Sequence, residues 1–305
     1  LLLPAILLLI GDERFRSPQN LSNVLAQSAV SGVATVGMTI VMVLGGFDLS
    51  VGAVAAASGL VAVIVFGHGQ PALMALGTTA AIGAGAGIGC LNGLLISRAR
   101  LNPLIATLAM SSIVRGLVLI VSEGTIYRTQ GDASAITSIA LGRWHVFPIA
   151  GLFFAGAAII GEVILGRLRF GHYVYAIGGS PSAATLAGVP VARITVASYG
   201  LAGGFAGLAG LLLLARTGTA LTSAGTGLEL EAITATVIGG TRLGGGVGSI
   251  GGAVLGVLLL SVIRNGLNLN GVSPFWQPFI VGCILVTTMV ISARADSAQR
   301  ESSLP

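Results

Sequence analysis

The hydrophobic positions of this chain fall in long apolar runs, separated by short polar or Pro/Gly breaks. The runs lie near 1–10, 24–44, 51–66, 72–97, 104–122, 147–166, 193–214, 229–241, 249–266 and 276–292. Crossing a bilayer takes about 20 apolar residues in a helix. Runs of that length predict membrane spans. The shorter ones predict helices that are tilted, broken or packed inside protein. The expected fold class is all-α: a polytopic transmembrane helical bundle of about ten helices, as a single domain over residues 1–305. Leu1 to Ile10 reads as the tail of a first helix without the small-residue cleavage site of a signal peptide, and the missing Met is expected to reflect trimming.

Composition strengthens this reading. The 305 residues are 54% hydrophobic and 8% charged, with a mean hydropathy of +0.97; soluble domains carry about 25% charged residues. Glycine is abundant, with 47 residues. Gly83/Gly87, Gly85/Gly89, Gly203/Gly207, Gly248/Gly252 and Gly252/Gly256 are small-xxx-small pairs, the pattern that lets membrane helices approach closely. All 15 basic residues are arginine. The glycine-rich run 244–248 is therefore no phosphate-binding P-loop, which needs a Lys. Schiff-base lysine chemistry is excluded on the same ground. The net charge of +5 points to arginines at span ends and not to nucleic acid. With Arg98 and Arg100 placed in the cytoplasm, alternation puts eight arginines inside and five outside. The 167–192 loop then lies inside, and 123–146 is the longest external loop. Cys90 and Cys283 sit in apolar spans and read as structural; His68, His145 and His172 are isolated and have no ligand role.

One signal stands apart from the spans. Gly178, Gly179, Ser180, Pro181, Ser182, Ala183, Ala184, Thr185, Leu186 and Gly188 make up a short helix with both ends marked. Ser180 is an N-cap, Pro181 occupies the first helical position, Gly188 is a left-handed stop, and Pro190 prevents resumption. About two turns are too few to cross a bilayer. A helix folded outside the lipid by a membrane protein reads as a docking element for another chain.

Polar residues inside or beside the spans are the remaining candidates. Asp48 and Ser50 precede the span at 51, either as a helix cap or as a break whose polar end lines a pathway. Arg115 lies well inside its span and needs a partner or water; Glu162 is one candidate. Thr107, Ser111, Ser112 and Arg115 recur every three to four residues and are expected on one helix face. Glu229 and Glu231 open a span, where acidic residues favour the helix dipole, but two apart they point to different sides and form no catalytic pair. Asn92-Gly93-Leu94 before Pro103 is echoed by Asn265-Gly266-Leu267 before Pro274, a faint inverted repeat.

Taken in order, these residues resemble the ribose/xylose/galactose-type permeases of bacterial ABC importers over nearly the whole length. The resemblance rests on Val36 to Ile40 leading into Gly45-Gly46-Phe47-Asp48-Leu49-Ser50-Val51-Gly52, on Leu104 to Leu108 with Arg115-Gly116, and on Glu229 to Ile233. Gly239-Gly240-Thr241, the 244–248 run and Asn265 to Ser273 with Trp276-Gln277 complete it. It implies a permease that imports a monosaccharide by alternating access, with no catalytic residue, metal or cofactor of its own. ATP and Mg belong to a cytoplasmic partner ATPase, for which 178–188 is the coupling helix. It further implies an extracellular or periplasmic sugar-binding protein, a second permease copy or paralogue, and the bacterial inner membrane. Ser182 and Thr185 stand near places where the family carries an acidic and a basic residue, and Glu231 stands where it has Asp. Candidate pathway residues are Thr39, Asp48, Asn92, Thr107, Ser111, Arg115, Asn265 and Asn268. A branched-chain amino acid permease is the runner-up; an ion-coupled transporter is disfavoured because Asp48 and Glu162 are expected near span ends.

Overall fold

The computed structural model describes residues 13–66, 70–129, 142–145, 147–273 and 275–302. The expected span at 1–10 and much of the expected external loop lie outside them. The helices are α1 (Glu13–Arg16), α2 (Pro18–Val43), α3 (Val51–Phe66), α4 (Pro71–Ser97), α5 (Pro103–Ser122) and α6 (Ile149–Glu162), which continues as a π-turn over Val163–Arg167. They are followed by α7 (Arg169–Gly179), α8 (Pro181–Leu186), α9 (Val191–Thr217), α10 (Leu228–Ile238), α11 (Ile250–Leu269) and α12 (Trp276–Ser302). Two short antiparallel pairs join loop ends: β1 (Tyr127–Arg128) with β4 (Thr219–Ala220), and β2 (Arg143–Trp144) with β3 (Phe147–Pro148). The β1–β4 pair ties the ends of α5 and α9 together on one side of the bundle, the side to which arginine placement assigns Arg128 and Arg216.

Six helical segments are long and apolar enough to cross a membrane, from Pro18–Val43 to Ile250–Leu269; Val51–Phe66 and Trp276–Val290 are shorter apolar helices. Boundaries differ most from expectation at α2, which starts six residues before the apolar run. Ser17 caps it, accepting from the Asn20 N–H at 3.2 Å, and Pro18 follows at the first position. Such a polar first turn is invisible to a hydropathy reading. The 167–192 segment also differs: it is not a loop with one helix but two helices, α7 and α8, in succession.

The bundle is built around α2, whose residues from Ser31 to Val43 are buried on every side except at the chain's polar start. A helix apolar all round belongs in a core, and α2 packs against α6, α9, α10 and α11. The most extensive contact is α4 against α9. A side chain at Gly85, Gly89 or Gly93 would run into the α9 backbone at Gly203, Tyr199 and Val196, respectively. Backbones touch there because no Cβ intervenes. Gly252 and Gly256 bring α11 equally close to Gly239 and Ala235. Gly83 and Gly87 differ: they face open space, so this predicted pair packs against nothing among the described residues. Gly248 is not helical; it precedes the N-cap Ser249.

Candidate functional site

Two interruptions of the helices meet inside the bundle. The first is the turn 44–50 between α2 and α3. Gly45 takes a positive φ of 93°, which turns the chain out of α2. Asp48 follows, 1% exposed, and its Oδ1 accepts from the Ser50 N–H at 2.9 Å and from the Ser50 hydroxyl. Ser50 Oγ accepts in turn from Asn92 Nδ2 on α4 at 2.9 Å. The Leu49 N–H donates to Thr107 Oγ1 on α5 at 3.1 Å, and the Tyr199 hydroxyl on α9 donates to the Phe47 carbonyl at 3.0 Å. A broken helix end buried in protein must find partners for its backbone groups. Here Asp48 of the turn itself, Thr107 of α5 and Tyr199 of α9 provide them, and Asn92 of α4 braces Ser50.

The second interruption is the segment 221–227, which returns from β4 to the start of α10. Gly225 packs on the backbone of Gly52, and Gly227 takes a φ of 84° before α10 begins. Arg115 reaches this segment from α5 and donates to the carbonyls of Thr222 at 3.0 Å and Ala224 at 3.5 Å. That corrects one expectation: Glu162 is not its partner. A guanidinium inside a span is satisfied by carbonyls freed where a helix is broken, with no carboxylate involved. Glu229, at the start of α10, accepts from the Gly227 N–H through Oε1, while Oε2 lies beside Gly52 with no hydrogen bond. Glu231 forms an ion pair with Arg264 of α11. It is thus more than a helix-end charge, and its pairing explains how Arg264 is accommodated in a span.

The predicted pathway residues therefore separate into groups. Asp48, Asn92 and Thr107 converge on the first interruption, and Arg115 holds the second. Thr39 lies on α2 facing Thr236 of α10 at 3.3 Å. Asn265 exchanges two hydrogen bonds with Asn20, at 2.8 and 2.9 Å. Asn268 is exposed and accepts from Gln277. On α5, Ser111 and Arg115 are half-buried on the side of Thr107, but Ser112 is exposed and bonds Leu108, so it leaves the expected polar face. Asp48 does sit at a helix end, yet it is buried among four helices and not at an exposed boundary. Tyr199 was not among the predicted residues. The available signal was a lone Tyr in an apolar span, because a buried phenol seeks a hydrogen-bond partner.

At the other end of α9 lies the short helix. Ser180 caps α8, accepting from the Ala183 N–H at 3.3 Å, with Pro181 in the first position. Gly188 takes a φ of 79°, and its N–H and that of Val189 close the helix onto Thr185 and Ala184. Ala184 faces inward, whereas Leu186 is 90% exposed. Gly178 and Gly179 belong to the end of α7 and not to α8. Gly178 is pressed against the Val43 carbonyl and Gly246, and the Gly246 N–H donates to that Val43 carbonyl at 2.8 Å. Tyr175 of α7 donates to the Gly248 carbonyl at 2.7 Å; burial, with Glu162 nearby, pushes its phenol up, so it remains a donor. A continuous set of contacts thus runs from α8 through α7 to Gly45 and the buried turn at Asp48.

The family described as "Branched-chain amino acid transport system / permease component" matches residues 20–289. The chain belongs to this family. It is 37% identical over 298 residues to the ribose import permease protein RbsC of Escherichia coli (strain K12), covering 94% of this chain and 91% of that one. It is 38% identical over 294 residues to the ribose import permease protein RbsC of Bacillus subtilis (strain 168), covering 96% and 90%. The fructose import permease protein FrcC of Rhizobium meliloti is 36% identical over 286 residues, covering 91% and 79%. No solved structure matches the chain. The chain is a multi-pass membrane permease component of the ABC-importer kind.

Proposed function

We propose that this permease carries a monosaccharide of the pentose or hexose class into the cytoplasm across a bacterial inner membrane. The observation that carries this is 36–38% identity, over about nine tenths of the chain, to permeases named for ribose and fructose. A cytoplasmic ATPase binds and hydrolyses ATP with Mg, and the permease has no hydrolytic role. An external binding protein delivers the sugar, and two permease copies, or a copy and a paralogue, enclose the path.

The geometry supports a route for the coupling. Exposed Leu186 on α8 gives the ATPase an apolar grip, and Ser182 and Thr185 replace charge there with shape. Movement of α8 is passed through Gly178 to Val43 and Gly246, hence to the 44–50 turn. That turn is pinned by Tyr199, Asn92 and Thr107, so its displacement shifts α3, α4, α5 and α9 together. Thr39, Ser111, Arg115, Asn265 and Asn268 stand as proposed contributors to the path. A binding protein or sugar shifts this equilibrium only through differential affinity for its states.

The test is ATP hydrolysis by permease and ATPase in lipid discs, with binding protein and a panel of pentoses, hexoses and branched-chain amino acids. Stimulation requiring all components and responding to one sugar supports the proposal. A response to a branched-chain amino acid instead, the substrate named in the family's description, would favour the alternative reading over the sugar one. Uptake that follows an ion gradient without the ATPase refutes both.

A further inference from the structure

Where α6 meets α11, at the same end of the bundle as α8, a cleft of about 570 Å³ opens to the outside. Its walls are mostly apolar, including Ile159, Val163 and Val254, and Gly251 leaves one side without a side chain. Glu162 and Arg167 line the same cleft. Neither makes an ion pair or hydrogen bond among the described residues, and both are exposed.

Their shared position is a product of the π-turn. In a continuous α-helix, residues five apart lie about 140° apart around the axis and face different directions. The segment Val163–Arg167 instead closes with an i→i+5 bond, from the Leu168 N–H to the Val163 carbonyl at 3.2 Å. The wider turn brings residues five apart much closer together around the axis than an α-helix does. A carboxylate and a guanidinium are thereby set on one side of an apolar groove without neutralising each other.

We propose that this cleft binds a zwitterionic phospholipid whose head group carries a primary ammonium, of the phosphatidylethanolamine type. Arg167 bonds the phosphate, to which its planar fork is matched. Glu162 accepts from the ammonium, which offers three N–H donors. An acyl chain lies along Ile159 and Val254. An anionic lipid satisfies Arg167 but meets repulsion at Glu162. A trimethylammonium head group has no N–H to donate.

The test compares thermal unfolding of the full permease in discs of phosphatidylcholine, phosphatidylcholine with phosphatidylethanolamine, and phosphatidylcholine with phosphatidylglycerol. Native mass spectrometry counts the retained lipids. Phosphatidylethanolamine should raise the midpoint and remain bound at one molecule per chain. Glu162→Gln and Arg167→Gln should each abolish the rise and lower retention several-fold, whereas Arg193→Gln keeps both. These side chains make no bonds among the described residues, so the variants are expected to fold. An equal rise with phosphatidylglycerol that survives Glu162→Gln overturns the proposal in favour of simple anion attraction. Cross-linking of Ile159→Cys between two copies, with no lipid retained, overturns it in favour of a second permease chain in the groove.

Discussion

At the scale of single residues, the interior depends on a few polar groups satisfied far from water. Tyr199→Phe removes the donor to the part-buried Phe47 carbonyl. The expected cost is about 1–3 kcal/mol, read as a lowered unfolding midpoint in discs, with reduced sugar-dependent ATPase stimulation because the 44–50 turn is loosened. The Glu231–Arg264 pair yields a second prediction. Glu231→Ala leaves Arg264 half-buried without its carboxylate, and Arg264→Ala does the reverse. Each single variant should be less stable than additivity with the double variant allows. A coupling of roughly 1 kcal/mol is expected, as for polar contacts between membrane helices. A double-mutant cycle with zero coupling would mean that the charges act independently. The pair was not evident from the chain, because 33 residues separate its members and nothing in the spacing links them. Arg115 shows the converse: its need for a partner was legible, but the partners are carbonyls, which any sequence has everywhere.

At the scale of elements, small residues decide which helices touch. Gly203→Val places a branched side chain against the backbone of α4 at Gly85. It should prevent close packing and yield poorly assembled protein, with a loss of at least about 1–3 kcal/mol. Gly83→Val, at a position of the same small-xxx-small pattern on α4, meets open space and should change stability by no more than about 0.5 kcal/mol. Comparing the two by expression and thermal unfolding checks the α4–α9 arrangement directly. The short helix α8 makes a second element-level case. Gly188→Val forces a β-branched residue to a φ of 79°. It should abolish ATPase stimulation while the bundle, packed elsewhere, keeps its unfolding midpoint within a few degrees. Retained stimulation and uptake would count against α8 as the docking element. Both ends of α8 were readable because capping is local chemistry: a hydroxyl, a proline and a glycine within nine residues. The helix α7 before it was not, because its glycines and polar residues carry no apolar run.

At the scale of the whole molecule, the separate interruptions become one assembly. The turn 44–50 and the segment 221–227 are far apart in the chain, yet Gly52 and Gly225 touch and Arg115 spans from α5 to the second. Through Gly178, Val43 and Gly246, the same assembly reaches α8. Leu186→Asp should therefore abolish ATPase-coupled uptake while leaving the permease as stable as before, since Leu186 is exposed and supports no internal packing. Thermal unfolding alongside transport in liposomes distinguishes lost coupling from lost folding. Normal uptake by this variant would contradict the route from α8 to the buried turn.

The amino-acid sequence by itself determined the helical, membrane-spanning class, the approximate spans and the short capped helix. These follow from length, hydropathy and capping, which act within a few turns of chain. It also carried the glycine spacings, but not which of them close a contact: Gly85 and Gly83 have the same periodicity, and only the position of α9 separates them. Likewise, the list of polar residues was readable, while its division was not. Asp48, Asn92 and Thr107 meet at one break, Asn265 pairs with Asn20, and Asn268 stays exposed. Hydrogen-bond partners at long sequence separation depend on how helices are arranged around α2, and that arrangement exists only in the tertiary structure.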